Sequence, residues 1–108
     1  MDKTAKIRQL NDAFRTSFKG GKVMLTLGIR SKSDIEQTEI LERVLNFNDF
    51  NKSNDPYQEH DFGKFKHKGE KIIWKIDYYD KNLQFGSEDA SDETKTTRVL
   101  TVMTADEY

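Results

Sequence analysis

The chain of 108 residues contains no cysteine. This absence excludes disulfide bonds, thiolate metal sites and a cysteine nucleophile, and it leaves the redox compartment open. A chain of this length fits a single domain over residues 1–108. A domain of this size buries roughly two thirds of the surface that its unfolded chain exposes, so we expect it to fold without a covalent cross-link.

Long apolar runs and an excess of one charge are also missing. No segment is apolar enough for a signal peptide or a membrane span, which predicts a soluble cytoplasmic protein without a membrane partner. The 18 Lys and Arg residues almost balance the 19 Asp and Glu residues, for a net charge of -1. A duplex-DNA binder needs a basic excess to gain from counterion release, so we expect no duplex nucleic acid as a partner.

The motifs of several common activities are absent. The sequence has no Gly-x-x-x-x-Gly-Lys-Ser/Thr, no Gly-x-Gly-x-x-Gly, no Gly-x-Ser-x-Gly and no His-Glu-x-x-His. These motifs hold phosphates, dinucleotides, a nucleophilic serine and a catalytic zinc ion, respectively. Their absence favours a non-enzymatic protein, and we predict no cofactor, no metal and no catalytic residue.

Periodic apolar residues predict two helices and a first strand. Apolar residues at helical spacing indicate a helix over residues 4–18, with Thr4 as its N-cap. Strict alternation indicates a strand over residues 22–29. The segment from Ser33 to Glu36 has the form of a capping box, which starts the second amphipathic helix.

A basic hairpin follows a turn-rich loop that contains the only proline. Strands are predicted over residues 60–66 and 71–79, joined by a turn at residues 68–69, where Gly69 supplies a positive φ.

Two registers fit this hairpin. In the simpler one, Gly63 lies opposite Trp74 and its missing side chain leaves room for the indole. A bulge at Gly63 instead places Phe62 opposite Trp74 and Asp61 opposite Lys75. We prefer the bulged register because it places Phe62 and Phe65 on the apolar face and brings opposite charges together on the other face.

A last β-branched strand is predicted over residues 97–103, after a long acidic loop. The order α-β-α-β-β-β predicts a two-layer α+β fold, in which two helices cover one face of a largely antiparallel sheet. Alternation along the third strand directs its apolar side chains toward the helices: Ile72, Trp74, Ile76 and Tyr78. It directs a polar set away from them: Lys75, Asp77 and Tyr79. The first strand can pair with either edge of this meander, and a last strand left exposed would offer an edge for a homo-oligomer.

Several carboxylates surround one histidine near the hairpin. His60 lies between Glu59 and Asp61 in the sequence, and Asp77 and Asp80 lie across the predicted sheet. Imidazole and carboxylate groups bind divalent metals and activate water. The spacing matches no metal-binding pattern, so the alternative is structural: His60 and Asp61 hold the loop by hydrogen bonds, and Asp80 satisfies a turn.

Tyrosine and cationic side chains indicate a binding surface. Tyr79 falls on the polar face, where a large aromatic group is hard to explain without a partner, whereas Trp74 and Tyr78 belong to the core. An exposed ring stacks on a base, and Lys75 and Arg98 neutralise phosphate. An ion pair between Arg98 and Asp77 is the structural alternative. The predicted ligand-binding residues are His60, Asp61, Lys75, Asp77, Tyr79 and Arg98.

Five motifs resemble those of an uncharacterised bacterial family of small proteins, which carries a domain of unknown function. They are Phe-Asn-Asp-Phe at 47–50, Asn-Asp-Pro at 54–56, Glu-His-Asp-Phe-Gly at 59–63, Trp-Lys-Ile-Asp-Tyr-Tyr-Asp at 74–80 and Thr-Thr-Arg-Val-Leu-Thr-Val-Met at 96–103. Members of that family occur in bacterial genomes, plasmids and phages. The resemblance implies a small accessory protein and, by analogy, a counter-defence or regulatory role. It brings no established catalytic residues.

Three functions are compatible with the sequence. The first is a non-enzymatic protein that sequesters a nucleotide-like anionic small molecule. The second is an inhibitor that binds a host protein through the same face or the basic hairpin. The third is a metal-dependent phosphodiesterase built on His60, Asp61, Asp77 and Asp80. We expect the first, because a polar and aromatic sheet face with no required structural role is a candidate binding surface.

Overall fold

The computed structural model describes residues 1–108 as three helices and four strands. In chain order the elements are α1 (Lys3–Arg15), β1 (Gly21–Leu25), α2 (Leu27–Arg30), α3 (Asp34–Leu45), β2 (Phe62–His67), β3 (Glu70–Tyr79) and β4 (Thr97–Thr104), followed by a 3-10 turn at Ala105–Glu107. The strands form one sheet in the order β1-β4-β3-β2. The predicted α+β fold with a largely antiparallel sheet is confirmed, and the short helix α2 is an addition to it.

The pairing of the strands places β4 inside the sheet. Strand β3 pairs antiparallel with both β2 and β4. Strand β1 pairs parallel with β4, and Gly21 lies opposite Arg98. The first strand therefore pairs with the last strand, and β1 and β2 are the two edges of the sheet.

The two long helices pack on one face of the sheet, which we call the helix side. Phe14 of α1 and Ile40 and Val44 of α3 belong to a core of nine buried residues. The other members of this core are Ile29, Ile72, Trp74, Ile76, Leu100 and Val102. Burying each such side chain contributes about 1.5–3 kcal/mol. The inward orientation predicted for the third strand is confirmed.

The opposite side of the sheet, which we call the open face, takes no part in that core. Lys75 pairs with Phe62 on β2 and with Thr101 on β4. Since side chains alternate along a strand, the open face carries the odd-numbered residues of β3 and β4 and the even-numbered residues of β2. None of them belongs to the core cluster. Ile73 and Met103 are nevertheless buried.

Helix α1 is shifted toward the N-terminus relative to its prediction. The Asp2 carboxylate accepts a hydrogen bond from the Ala5 amide, so the helix begins before the predicted cap at Thr4. The helix ends at Arg15. Phe18 then takes a left-handed conformation with φ of 58°, which no helix continues.

Helix α3 begins as predicted and is fixed at its end by α1. The Ser33 hydroxyl accepts a hydrogen bond from the Glu36 amide. At the other end the buried Arg15 guanidinium donates to the carbonyl oxygens of Val44 and Leu45, at 2.9 and 3.3 Å. Both carbonyls belong to the last turn of α3, so Arg15 caps this helix end and ties the two helices together.

The predicted first strand ends early, at Leu25, because the turn of helix α2 follows it. The Glu107 carboxylate accepts hydrogen bonds from the Thr26 hydroxyl and the Gly28 amide at the start of this turn. The turn places Ile29 in the core, fully buried. The alternating pattern predicted a strand for the residues after Leu25, whereas the hydrogen bonds to the distant Glu107 carboxylate favour a helical turn there.

The hairpin of β2 and β3 has the simpler register. Gly63 lies opposite Trp74, and Phe62 lies opposite Lys75. The preferred bulge is therefore wrong. A Cβ atom at Gly63 would lie 2.4 Å from Trp74 Nε1, so only glycine leaves room for the indole opposite it. Packing of the indole therefore selects the register and outweighs the expected pairing of Asp61 with Lys75.

Candidate ligand-binding site

The six predicted ligand-binding residues lie on two sides of the sheet. Lys75, Asp77 and Tyr79 lie on the open face. His60 and Arg98 lie on the helix side, in separate hydrogen-bond networks. Asp61 precedes β2 and is half-buried. No single concavity therefore collects all six.

Arg98 is buried on the helix side. Its Nε donates to Asn11 Oδ1 at 2.7 Å, and its Nη2 donates to the Ala90 carbonyl oxygen. The guanidinium lies over the Tyr78 ring, 5.2 Å from the ring centroid, and burial lowers its pKa. The predicted ion pair with Asp77 is wrong, because the two side chains lie on opposite faces of the sheet.

Asn11 is the centre of a buried polar network, and sequence reasoning missed it. Its amide nitrogen donates to the Tyr78 hydroxyl at 2.8 Å and to the Glu59 carbonyl at 3.0 Å, while its oxygen accepts from Arg98. The Tyr78 hydroxyl donates to the Glu59 carboxylate at 2.7 Å. Burial raises the pKa of the Tyr78 phenol, and this hydrogen bond raises it further. The missed signal is the helical stripe that Asn11 shares with Phe14.

His60 lies between two carboxylates and against an aromatic ring. Its Nδ1 is 2.9 Å from Asp12 Oδ1, and its Nε2 is 3.6 Å from Asp55 Oδ2. The imidazole stacks on Phe50, with ring centroids 3.7 Å apart. The His60 amide also donates to Asp55 at 3.0 Å. These contacts attach the loop before β2 to α1, which is the structural role that the sequence allowed for His60.

The carboxylates of the phosphodiesterase hypothesis do not gather around His60. Asp80 accepts hydrogen bonds from two amides of the turn that it begins. Burial raises the pKa of Asp61, and the neighbouring charge of Glu59 raises it further. The structure contains no group of three or more His, Asp or Glu side chains that could hold a metal ion.

The open face holds an ion pair beside aromatic side chains. Lys75 Nζ is 2.8 Å from Asp77 Oδ2, and each side chain is 37% exposed. The hydrogen bond from Lys75 to Asp77 raises the pKa of Lys75, and Tyr79 and Tyr108 are close enough to act in the same direction. Phe62 contacts Tyr108 edge-on, with ring centroids 5.8 Å apart. Three predicted residues thus share one surface with two further aromatic rings.

Three lysines on the β2–β3 part of the open face have no acidic partner. Lys64, Lys66 and Lys71 are exposed, and none of them forms an ion pair. Lys66 and Lys71 lie directly opposite each other, where like charges repel. Free positive charge is therefore concentrated on the β2–β3 part of the open face, although the whole chain has a net charge of -1.

Comparison with known proteins identifies the family of this chain. A family model described as "Protein of unknown function (DUF3768)" matches residues 25–107, and the chain belongs to this family. The expected membership in an uncharacterised family is confirmed. No curated protein and no solved structure matches the chain. None of the helices combines the length and the apolar character that crossing a membrane requires.

Proposed function

We propose that the protein binds a nucleotide-like anionic ligand without converting it, and that the open face is the binding surface. The observation that carries this proposal is the position of Tyr79 on the same face as three unpaired lysines, Lys64, Lys66 and Lys71. Aromatic rings stack on bases, and ammonium groups neutralise phosphates. The two kinds of side chain therefore match the two halves of a nucleotide.

The shape of the surface favours an extended ligand. Small-molecule sites are usually concave, whereas a sheet face is shallow. Tyr79 lies eight residues beyond Lys71, which pairs with Lys66. Eight residues of a strand span roughly 26 Å, a distance that a short single-stranded oligonucleotide bridges with successive nucleotides. We therefore favour a single-stranded oligonucleotide over an isolated nucleotide.

The positions of His60 and Asp77 do not support an enzymatic function. His60 is held by Asp12 and Asp55 on the helix side, and Asp77 is paired with Lys75 on the open face. A metal-dependent phosphodiesterase needs its imidazole and carboxylate groups around the same metal centre. These positions favour binding over hydrolysis.

The second candidate function is inhibition of a host protein. Leu83 and Phe85, in the loop after β3, are 42% and 71% exposed, and such side chains serve as anchors at protein interfaces. Capture of a bacterial protein by the wild-type chain, and its loss with Leu83→Ser and Phe85→Ser, would favour this candidate. A cytoplasmic counter-defence or regulatory role for a phage or plasmid belongs to either candidate, and only the motif resemblance supports it.

Fluorescence anisotropy with a short labelled oligothymidine tests the binding proposal. We expect log K to fall with log salt with a slope of about -2, because three lysines neutralise three phosphates of a single strand. Replacing Lys64, Lys66 and Lys71 together by glutamine should remove most of this dependence. Tyr79→Ala should lower the affinity by about tenfold, the scale of one lost base stack.

A matched triple variant controls for total charge. Replacing Lys6, Arg30 and Lys52 by glutamine removes the same charge from outside the open face and should leave binding intact. Equal losses in the two triple variants, or no binding at low salt, would contradict the proposal. Oligothymidine that is recovered intact after incubation supports binding, whereas shortened products would favour the phosphodiesterase.

A further inference from the structure

A buried cation without a counter-ion lies on the helix side. Arg98 is 3% exposed, and no carboxylate forms an ion pair with it. Its Nε and Nη2 donate to protein oxygens, whereas its Nη1 has no protein partner. Glu93 and Glu59 act on the guanidinium only at longer range. Burying a charge in this way is unfavourable, because the lost hydration is not replaced by an opposite charge.

A cavity of about 520 Å³ lies beside Arg98. Arg98 lines it together with three lysines from three different segments, Lys19, Lys22 and Lys81. None of these lysines forms an ion pair. The one carboxylate in the lining belongs to Glu93. Lys22 pairs with Val99, so its side chain lies on the other face of the sheet. The three cationic side chains of Lys19, Lys81 and Arg98 against one anionic side chain give the cavity a positive potential.

Parallel pairing of β1 with β4 brings these cations together. Lys19 follows α1, and Lys81 follows β3, while Arg98 comes from β4. The backbone of Gly21 lies very close to its neighbours: a Cβ atom there would be 2.5 Å from the Arg98 carbonyl oxygen and 2.7 Å from the Phe14 ring. Glycine at this position therefore allows β1 to lie beside β4 and α1, which together form the walls of the cavity.

We propose that this cavity binds the phosphate group of a small phosphorylated molecule, with Arg98 as the central contact. The Arg98 Nη1 group, which has no protein acceptor, is a charged donor for a phosphate oxygen, and the lysines add point charges. The cavity volume falls within the range of small-molecule sites. Since α1 forms one wall, the site lies away from the open face and does not rest on the function proposed for that face.

Inorganic phosphate is the probe that tests this site. In ¹H–¹⁵N NMR spectra at constant ionic strength, we expect saturable shifts of the Gly20 and Gly21 amides and of the Arg98 Nε–Hε group. Replacing the exposed Lys19 and Lys81 by glutamine should weaken the apparent affinity by about tenfold, the scale of one lost hydrogen bond to a charged group. Unchanged resonances elsewhere in the spectrum would show that the fold persists.

A matched double variant identifies the surface responsible. Lys64→Gln with Lys66→Gln removes two lysines from the open face and should leave the phosphate titration unchanged. Shifts that never saturate, or equal affinities in the two double variants, would overturn the site.

An arginine variant separates the contribution of the Arg98 guanidinium donor from that of its charge. Arg98→Lys keeps the charge and should bind phosphate more weakly than the wild type, while wild-type affinity in this variant would count against Arg98 as the central contact. If Arg98→Lys does not fold, two other measurements test whether the cavity binds phosphate. They are the phosphate affinity of the Lys19 and Lys81 variant and the shift of the Arg98 Nε–Hε resonance in the wild type. The Lys64, Lys66 and Lys71 variant reports on the open face through oligothymidine binding, and the Lys19 and Lys81 variant reports on the cavity through phosphate binding, so a failure of either site can be recognised separately.

Discussion

The helix side and the open face of the same sheet hold their charged groups in different ways. On the helix side, Arg98 is buried and bonded to Asn11, which in turn bonds Tyr78. On the open face, Lys75 and Asp77 form a pair in contact with water. Polar residues of the first kind are fixed by hydrogen bonds to protein atoms, whereas those of the second kind are in contact with water. The stretch from residue 59 to residue 80 alternates between these two environments and is not a single site.

The largest expected difference in stability is between two variants that each remove one aromatic side chain, one from each face of the sheet. Trp74→Ala should lower the free energy of unfolding by about 3–5 kcal/mol, because it removes a fully buried ring. Tyr79→Ala should cost less than about 1 kcal/mol, because the side chain lies on the open face. Urea unfolding followed by far-ultraviolet circular dichroism measures both. Similar costs would show that the open face is packed like the core.

The polar network of the helix side should also be sensitive. Asn11→Ala leaves the Arg98 Nε without an acceptor in a buried site and should cost roughly 2–3 kcal/mol. Gln9→Ala, on the exposed side of the same helix, should change stability by less than about 0.5 kcal/mol. The same urea titration compares them, and a harmless Asn11→Ala would mean that the network does not stabilise the fold.

The ion pair of the open face should contribute little. A double-mutant cycle with Lys75→Ala and Asp77→Ala should give a coupling energy of about 0.5 kcal/mol, since water screens a pair in which each side chain is 37% exposed. High salt should reduce this coupling further. A coupling above about 2 kcal/mol would refute the view that the open face is solvated.

The smallest effect near neutral pH concerns the turn after β4. Hydrogen bonds from Thr26, Thr104 and Gly28 lower the pKa of Glu107 from 4.5 to about 2. A lowered pKa in the folded state means that the carboxylate stabilises the fold above pH 4.5 and loses this effect as the pH falls toward 2. Glu107→Gln should therefore flatten the dependence of Tm on pH in this acidic window. Parallel curves for the variant and the wild type would argue against the assignment.

Local signals predicted most of the secondary structure. The Ser33 cap, the positive φ of Gly69 in the hairpin turn and the inward position of Trp74 each follow from neighbouring residues. Alternation also placed Tyr79 on the open face correctly. These features depend on sequence periods and backbone preferences, which a single chain displays without reference to its fold.

Features that depend on distant partners could not be predicted in the same way. Helix α2 needs the carboxylate of Glu107, and the cavity beside Arg98 needs the parallel pairing of β1 with β4. The position of Arg98 is a different case. Its side chain alternates in phase with Leu100 and Val102, so the sequence did contain the signal that it points toward the core.

Parallel pairing also has a consequence for the order of folding. Strand β1 has one neighbour in the sheet, β4, and the Thr26 hydroxyl that follows β1 bonds the carbonyl of Val102, 76 residues away. Closing so long a loop carries an entropic cost, and contacts of large sequence separation form slowly. The local hairpin of β2 and β3 can form as soon as it leaves the ribosome. A nascent chain that has not yet reached Thr97 instead holds β1 without a partner and β3 with one bare edge, so completion of the sheet awaits the synthesis of β4.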